Sequence, residues 1–258
     1  MTLWLQFSYQ NSNHFGILDG DTIEVYSGDL FNNPQPAGRH CKLADVDVLV
    51  PCTPGKMLAL WNNFYSRAEH EGWDIPAEPL YFVKTPNTFN AHARPIVRPT
   101  SYDGPVFFEG ELGIVIGKTC SSISGAQAAD YIFGYTCVND VTAKEILKRD
   151  PSFPQWTRAK GFDTFGVFGP VIATGLDVDD LVIQSRLDGE LLQDYPVTDM
   201  VFRPHRLVSL ISRDITLYPG DIIACGTGLN AAAMEDGQLI EVSIDGIGFL
   251  SNRMTASP

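Results

Sequence analysis

Residues 106–117 read Val106-Phe-Phe-Glu-Gly-Glu-Leu-Gly-Ile-Val-Ile-Gly. No other stretch limits the possible folds as strongly. The run is short and dense in β-branched and aromatic side chains, so it predicts a buried strand. It also carries two carboxylates, Glu109 and Glu111, two positions apart. On a strand, positions i and i+2 point to the same face. Two like charges side by side among Phe, Val and Ile are costly unless something positive neutralises them. A hard divalent cation (Mg²⁺, Mn²⁺ or Ca²⁺) is one solution, because such ions take oxygen ligands. A half-exposed strand whose two glutamates face water is the other. Spacing alone leaves the two readings even.

The same strand grammar recurs along the chain. Leu3, Leu5 and Phe7 alternate with Trp4, Gln6 and Ser8, and residues 2–26 read as two or three short strands. Residues 27–55, rich in Gly, Pro, Asn and Asp, are expected to wander over the surface. Further strands are predicted over 56–61, 80–84, 133–138, 167–173, 181–187, 191–195, 221–225 and 239–244. Turns fall at Asp188-Gly189 and Asp245-Gly246. Helical signals are few and short, over 62–72, 126–132, 143–149 and 207–212. With 23 Gly and 17 Pro and no strand–helix–strand rhythm, the expected class is α+β, mainly β. A boundary near residue 55 would divide a small N-terminal β subdomain, 1–55, from a catalytic domain, 56–258.

Charge narrows the partners. Lys+Arg total 18 against 31 Asp+Glu, a net charge of −13. Phosphate neutralisation supplies most nucleic-acid affinity, so an acidic chain argues against DNA or RNA as a partner. The same sign argues against a polybasic grip on anionic lipid. No apolar run reaches the ~18 residues of a membrane span. The first residues lack the basic start and apolar run of a signal peptide. Five scattered cysteines without a CxxC pair fit reduced, buried thiols and a cytoplasmic location.

Three further positions could join the glutamate pair. Asp140 ends the strand predicted over 133–138; it can give a third oxygen ligand or cap the segment that follows. Lys160 lies in a Gly/aromatic-rich loop, where it could hold a substrate oxygen, act as a base, or simply snorkel. Gly226-Thr-Gly follows another strand, and its backbone N–H groups could bind a carboxylate. The five histidines form no HxH or HxxxH pattern, and each alone reads as structural or exposed.

Taken together, four segments resemble, in order and spacing, the motifs of the fumarylacetoacetate hydrolase (FAH) family. They begin at Phe108-Glu-Gly-Glu, Gly134-Tyr-Thr-Cys-Val-Asn-Asp, Ala159-Lys-Gly-Phe-Asp and Leu217-Tyr-Pro-Gly-Asp, the last running to Cys225-Gly-Thr-Gly. The resemblance covers roughly residues 55–250. It implies a mixed β-roll, usually a homodimer, with Glu109, Glu111 and Asp140 holding Mg²⁺ or Mn²⁺, or Ca²⁺ in some members. It implies Lys160 as the active-site lysine, and Thr227 with Gly226 as the element that grips a substrate carboxylate or oxo group. Family members act on small anionic 2-oxo or 2,4-dioxo acids through an enolate stabilised by the cation.

The sequence departs from the family pattern in three places. Lys144 and Leu147 stand where many members carry an Arg and a Gln that contact substrate. Gly228-Leu-Asn-Ala replaces the usual segment after Gly-Thr. Arg67 stands near the position of a water-activating His, so the expected dyad shifts to His70 with Glu69 or Glu71. The resemblance thus implies a hydrolase or lyase that cleaves a C–C bond in an acylpyruvate-like acid. Its alternative is an isomerase, tautomerase or decarboxylase of a hydroxy-dienedioate or oxaloacetate-like acid from aromatic-compound catabolism. A degenerate member that only binds an oxo acid is the third.

Overall fold

The computed structural model describes residues 1–256. Four strands open the chain: β1 (Thr2–Tyr9), β2 (Ser12–Asp19), β3 (Thr22–Asp29) and β4 (Asn32–Lys42). Next come β5 (Met57–Trp61), helix α1 (Tyr65–Glu71), β6 (Leu80–Lys84), β7 (Gly110–Ile116) and β8 (Ile132–Asp140). A one-turn helix α2 (Trp156–Lys160) precedes β9 (Gly166–Thr174), β10 (Val182–Leu187) and β11 (Glu190–Pro196). Helix α3 (Pro204–Asp214), β12 (Ile222–Ala224), β13 (Leu239–Ile244) and β14 (Gly248–Thr255) complete it. The fold is mainly β, as the strand grammar predicts.

The large sheet runs β4-β3-β2-β1-β9-β8-β7-β12-β5-β6. Its N-terminal meander is not detached: β1 pairs antiparallel with β9 through Leu3↔Ala173 and Trp4↔Ile172. The β12–β5 pair is parallel, Ile222↔Met57. A second sheet runs β11-β10-β13-β14 and ends on the short strand Ile96–Val97. Strand β7 is buried along its whole length, and so is β8 from Gly134 onward. These two neighbours therefore lie in the interior of the molecule, and their polar side chains must find partners there.

Three sequence expectations change. Residues 32–42 form a long strand rather than wandering. Pro34, Pro36 and Gly38 are tolerated because β4 is the sheet edge and pairs only with β3, with two register shifts. The run 106–117 is not one strand. Val106–Phe107 pairs with Ala233–Met234, and β7 begins only at Gly110. Glu109 therefore sits at a break in the ladder, and Glu111 lies inside β7. The segments 126–132 and 143–149 form 3₁₀ turns, Ala128–Tyr131 and Lys144–Lys148, rather than α-helices.

Candidate metal centre

Pairing of β7 with β8 sets Gly110 opposite Asn139 and Glu111 opposite Val138. The Asp140 N–H donates to the Glu109 carbonyl at 2.9 Å, and the Glu109 N–H donates to Asn139 Oδ1 at 3.0 Å. Strand register thus delivers the three carboxylates to one point. Oxygens of Glu109, Glu111 and Asp140 all lie within 4.8 Å of one another. Gly110 separates the two glutamates because a Cβ there would strike Ser185 Oγ; its N–H donates to Gln193 Oε1 at 3.0 Å.

Two ammonium groups face this cluster. Lys160 is the last residue of α2, not part of a loop, and its Nζ lies 2.5 Å from both Glu109 Oε2 and Asp140 Oδ2. Lys84, at the end of β6, is fully buried. Its Nζ donates to Asp140 Oδ1 at 2.6 Å and to the Lys160 carbonyl at 2.8 Å. Burial would raise the Asp140 carboxyl, but Lys160 and Lys84 outweigh it and hold it below the ordinary value. Burial likewise opposes charge on Lys160, yet Asp140, Glu109 and Glu111 keep it above the usual lysine range. On Lys84 burial wins, and its ammonium is held less firmly than a free lysine.

Glu111 is the exception. Burial, reinforced by Asp140, pushes its carboxyl well above the usual range. One oxygen, Oε2, accepts from the Gly226 N–H at 2.8 Å. The other, Oε1, is buried with no hydrogen-bond partner among the described residues. A buried acceptor without a donor is rare enough to need a reason. A divalent cation held by the three carboxylates would supply it. With both lysines charged, three carboxylates and two ammonium groups leave one net negative charge. A divalent ion turns that into one net positive charge, which a monoanionic acid cancels. The donor set is all oxygen, which suits Mg²⁺, Mn²⁺ or Ca²⁺.

A cavity of about 800 Å³ opens over this cluster, lined among others by Glu109, Lys160, Thr227, Lys144, Arg67 and Glu71. Thr227 is buried; its hydroxyl oxygen accepts from Gln193 Nε2 at 2.9 Å. Lys144 reaches the rim with its Nζ 5.3 Å from the Phe107 ring centroid. The expected dyad is not brought to the cavity: His70 and Glu69 are exposed on α1 and are not among its lining residues. Residues 67 and 71 are one helical turn apart and share a face; Arg67 is half-buried and Glu71 is exposed, and both border the cavity. Arg67 Nη1 donates to the Thr227 and Gly228 carbonyls at 3.1 and 3.3 Å. That contact latches α1 to the turn after β12.

Gly226 also departs from its expected part. Its N–H is committed to Glu111, so it orients a carboxylate of the protein rather than one of a substrate. Its φ of +88° favours glycine, and a Cβ would meet Asn63 Cβ and the Leu60 carbonyl at 3.3 Å. Gly226→Ala should therefore cost about 1–3 kcal/mol of stability. It should also weaken Mn²⁺ binding roughly 10–100-fold, the usual loss when a supporting partner moves. Calorimetric titration and thermal melts check both; unchanged metal affinity would show that the Gly226–Glu111 bond is dispensable. Lys84 and Gln193 are the residues sequence reasoning did not assign. A lysine closing an apolar strand was the only cue to Lys84.

Comparison with known proteins adds the following. A family model described as Fumarylacetoacetate (FAA) hydrolase C-terminal matches residues 56–255, and one described as Rv2993c-like, N-terminal matches residues 3–51. Oxaloacetate tautomerase YisK of Bacillus subtilis is 33% identical over 217 residues, 80% of this chain and 71% of that protein. The crystal structure of 2-hydroxyhepta-2,4-diene-1,7-dioate isomerase from Mycobacterium marinum aligns with a TM-score of 0.91 and 34% identity, over 100% of this chain and 99% of that one. Fumarylpyruvate hydrolase from Pseudomonas aeruginosa, solved with Mn²⁺ and pyruvate, aligns at 0.73 with 27% identity, over 81% and 91%.

Proposed function

The chain belongs to the fumarylacetoacetate hydrolase family, and from that premise we propose that it is a divalent-metal-dependent isomerase or tautomerase of a 2-oxo or 2-hydroxy-dienoic acid. One observation carries this reading. The cavity over the three carboxylates is lined, among the described residues, by Lys160, Glu71 and Thr227 but by no histidine. Moving a double bond needs a proton carrier and stabilisation of negative charge; it needs no activated water. Relatives named as a tautomerase and an isomerase share about a third of their aligned residues with this chain, 33% and 34%.

Glu109, Glu111 and Asp140 would hold Mg²⁺ or Mn²⁺, which when bound supplies Lewis-acid stabilisation of a developing oxyanion. Lys160, kept protonated by its acidic neighbours, adds a fixed positive charge from a nearly fully buried position, where such a charge acts strongly. Lys144 at the rim and the Thr227 hydroxyl orient the substrate carboxylate. Glu71 takes the proton from the carbon beside the carbonyl and returns it either to the γ-carbon of the resulting dienolate, which shifts the double bond, or to the enolate oxygen, which gives the tautomer; in both cases its carboxylate is regenerated. Hydrolytic C–C cleavage is the second reading. It rests on the same Glu71, which would then have to activate water.

A proton NMR time course in D₂O, with oxaloacetate and acetylpyruvate as substrates and Mg²⁺ present, separates the two. Metal-dependent deuterium exchange beside the carbonyl, with the carbon skeleton intact, is expected. Release of acetate and pyruvate from acetylpyruvate would overturn the isomerase reading in favour of cleavage. Full activity without a divalent ion would sink both. Glu71→Gln should lower kcat about 10²–10⁴-fold, the contribution of a positioned acid–base group, while Mn²⁺ still binds. His70→Ala should leave kcat within about twofold, as surface changes do. A His70→Ala loss as large as that of Glu71→Gln would return the proton carrier to His70.

A further inference from the structure

The chain has four tryptophans, and three of them meet in this one cavity. Trp61 ends β5, Trp73 follows α1 and Trp156 opens α2, so three separate segments converge. Trp61 lies 4.8 Å from Trp73 and 6.0 Å from Trp156, centroid to centroid. Trp156 stacks on Phe82 at 5.1 Å with 17° between the planes. All four rings are only half-buried, so the fold leaves large aromatic surfaces uncovered inside a cleft. Leu80 and Leu147 extend the apolar wall.

This wall adjoins the carboxylate cluster, with Lys160 Nζ 5.1 Å from the Phe82 ring centroid, and the two share one cavity of about 800 Å³. That volume is in the upper part of the range for small-molecule sites, roughly 300–1,000 Å³. The head of an oxo acid, held near Lys160 and Thr227, leaves most of it empty. Scattered surface tryptophans would need no explanation; a continuous aromatic wall continuous with a charged site does.

We propose that the aromatic chamber formed by Trp61, Trp73, Phe82 and Trp156 selects oxo acids whose far end is a planar aryl or conjugated group. The inference rests on the reading that the inner end binds an oxo acid. A flat tail slides against the Trp156 and Trp61 rings, and aromatic pairs gain affinity beyond the area they bury. A short aliphatic tail leaves the chamber to water and gains nothing from it.

Calorimetric titration of the Mn²⁺-loaded protein with phenylpyruvate and with pyruvate tests this without turnover. Phenylpyruvate should bind at least roughly tenfold more tightly, the return expected for burying and stacking a phenyl ring. In Trp156→Ala and in Trp61→Leu that ratio should fall about fivefold or more, while Trp156→Phe retains most of it. Equal binding of the two acids by the wild-type protein, or an unchanged ratio in both variants, overturns the proposal. Turnover of benzoylpyruvate against acetylpyruvate separates it from the reaction assignment. An aryl preference in binding with neither acid converted leaves the chamber standing and removes the proposed reaction. Conversion of both acids without an aryl preference in binding or turnover does the reverse.

Discussion

Glu111→Gln is expected to abolish productive divalent-metal binding while leaving the protein folded. The substitution keeps the shape of the side chain and an oxygen able to accept from the Gly226 N–H. It removes the charge and the second oxygen, Oε1, which is buried and unpartnered. Loss of a partner that merely supports a ligand costs roughly 10–100-fold in metal affinity; loss of the ligand itself should exceed that. Activity should fall with it, by more than about 10³-fold if the cation supplies several kcal/mol of charge stabilisation. Mn²⁺ titration followed by calorimetry and by the metal-induced rise in Tm gives two readouts. A wild-type rise in Tm on adding Mn²⁺ to Glu111→Gln would mean that the three carboxylates are not the binding site.

Lys160→Met should show the opposite pattern in the metal-free protein. Lys160 is almost fully buried and bridges Glu109 and Asp140. Its removal leaves uncompensated buried negative charge, which typically costs about 3–5 kcal/mol. For a chain of this size that is a drop in Tm of roughly 6–20 °C. A divalent cation can take over the neutralisation. Mn²⁺ should therefore raise the Tm of Lys160→Met by more than it raises the wild-type value, even though activity falls at least about 10²-fold. Equal metal-induced shifts in the two proteins would show that Lys160 does not share the electrostatic burden of the carboxylates.

How much of this was legible differs residue by residue. Glu109, Glu111 and Asp140 could be read because they lie in or directly before the neighbouring strands β7 and β8, and strand pairing converts sequence spacing into spatial register. Lys84 could not. It belongs to the far edge of the sheet, and only the strand order and a long side chain bring it 2.6 Å from Asp140. Helix α1 was visible in the polar stretch 62–72, yet the side of it that borders the cavity was not. Successive helical residues are about 100° apart, so of the two exposed neighbours His70 and Glu71 only Glu71 borders the cavity. Strand β4 was hidden by its prolines, because edge position, which removes their penalty, is a property of the whole sheet. The tryptophan wall was invisible for a related reason: Trp61, Trp73 and Trp156 share no spacing pattern at all.

The latch between sequence-distant strands also fixes when the site can exist. The bond from Gly226 to Glu111 spans 115 residues, and β12 slots between β7 and β5 beside a Lys56–Asp221 contact spanning 165. Contacts that close such long loops carry their entropy cost before they return any energy, so they form late in folding. A cation at this centre can meet its full ligand set only in a chain that has already closed its sheet. It therefore acts as a brake on unfolding and not as a nucleus for folding: Mn²⁺ should lengthen the lifetime of the native state and leave the refolding rate unchanged.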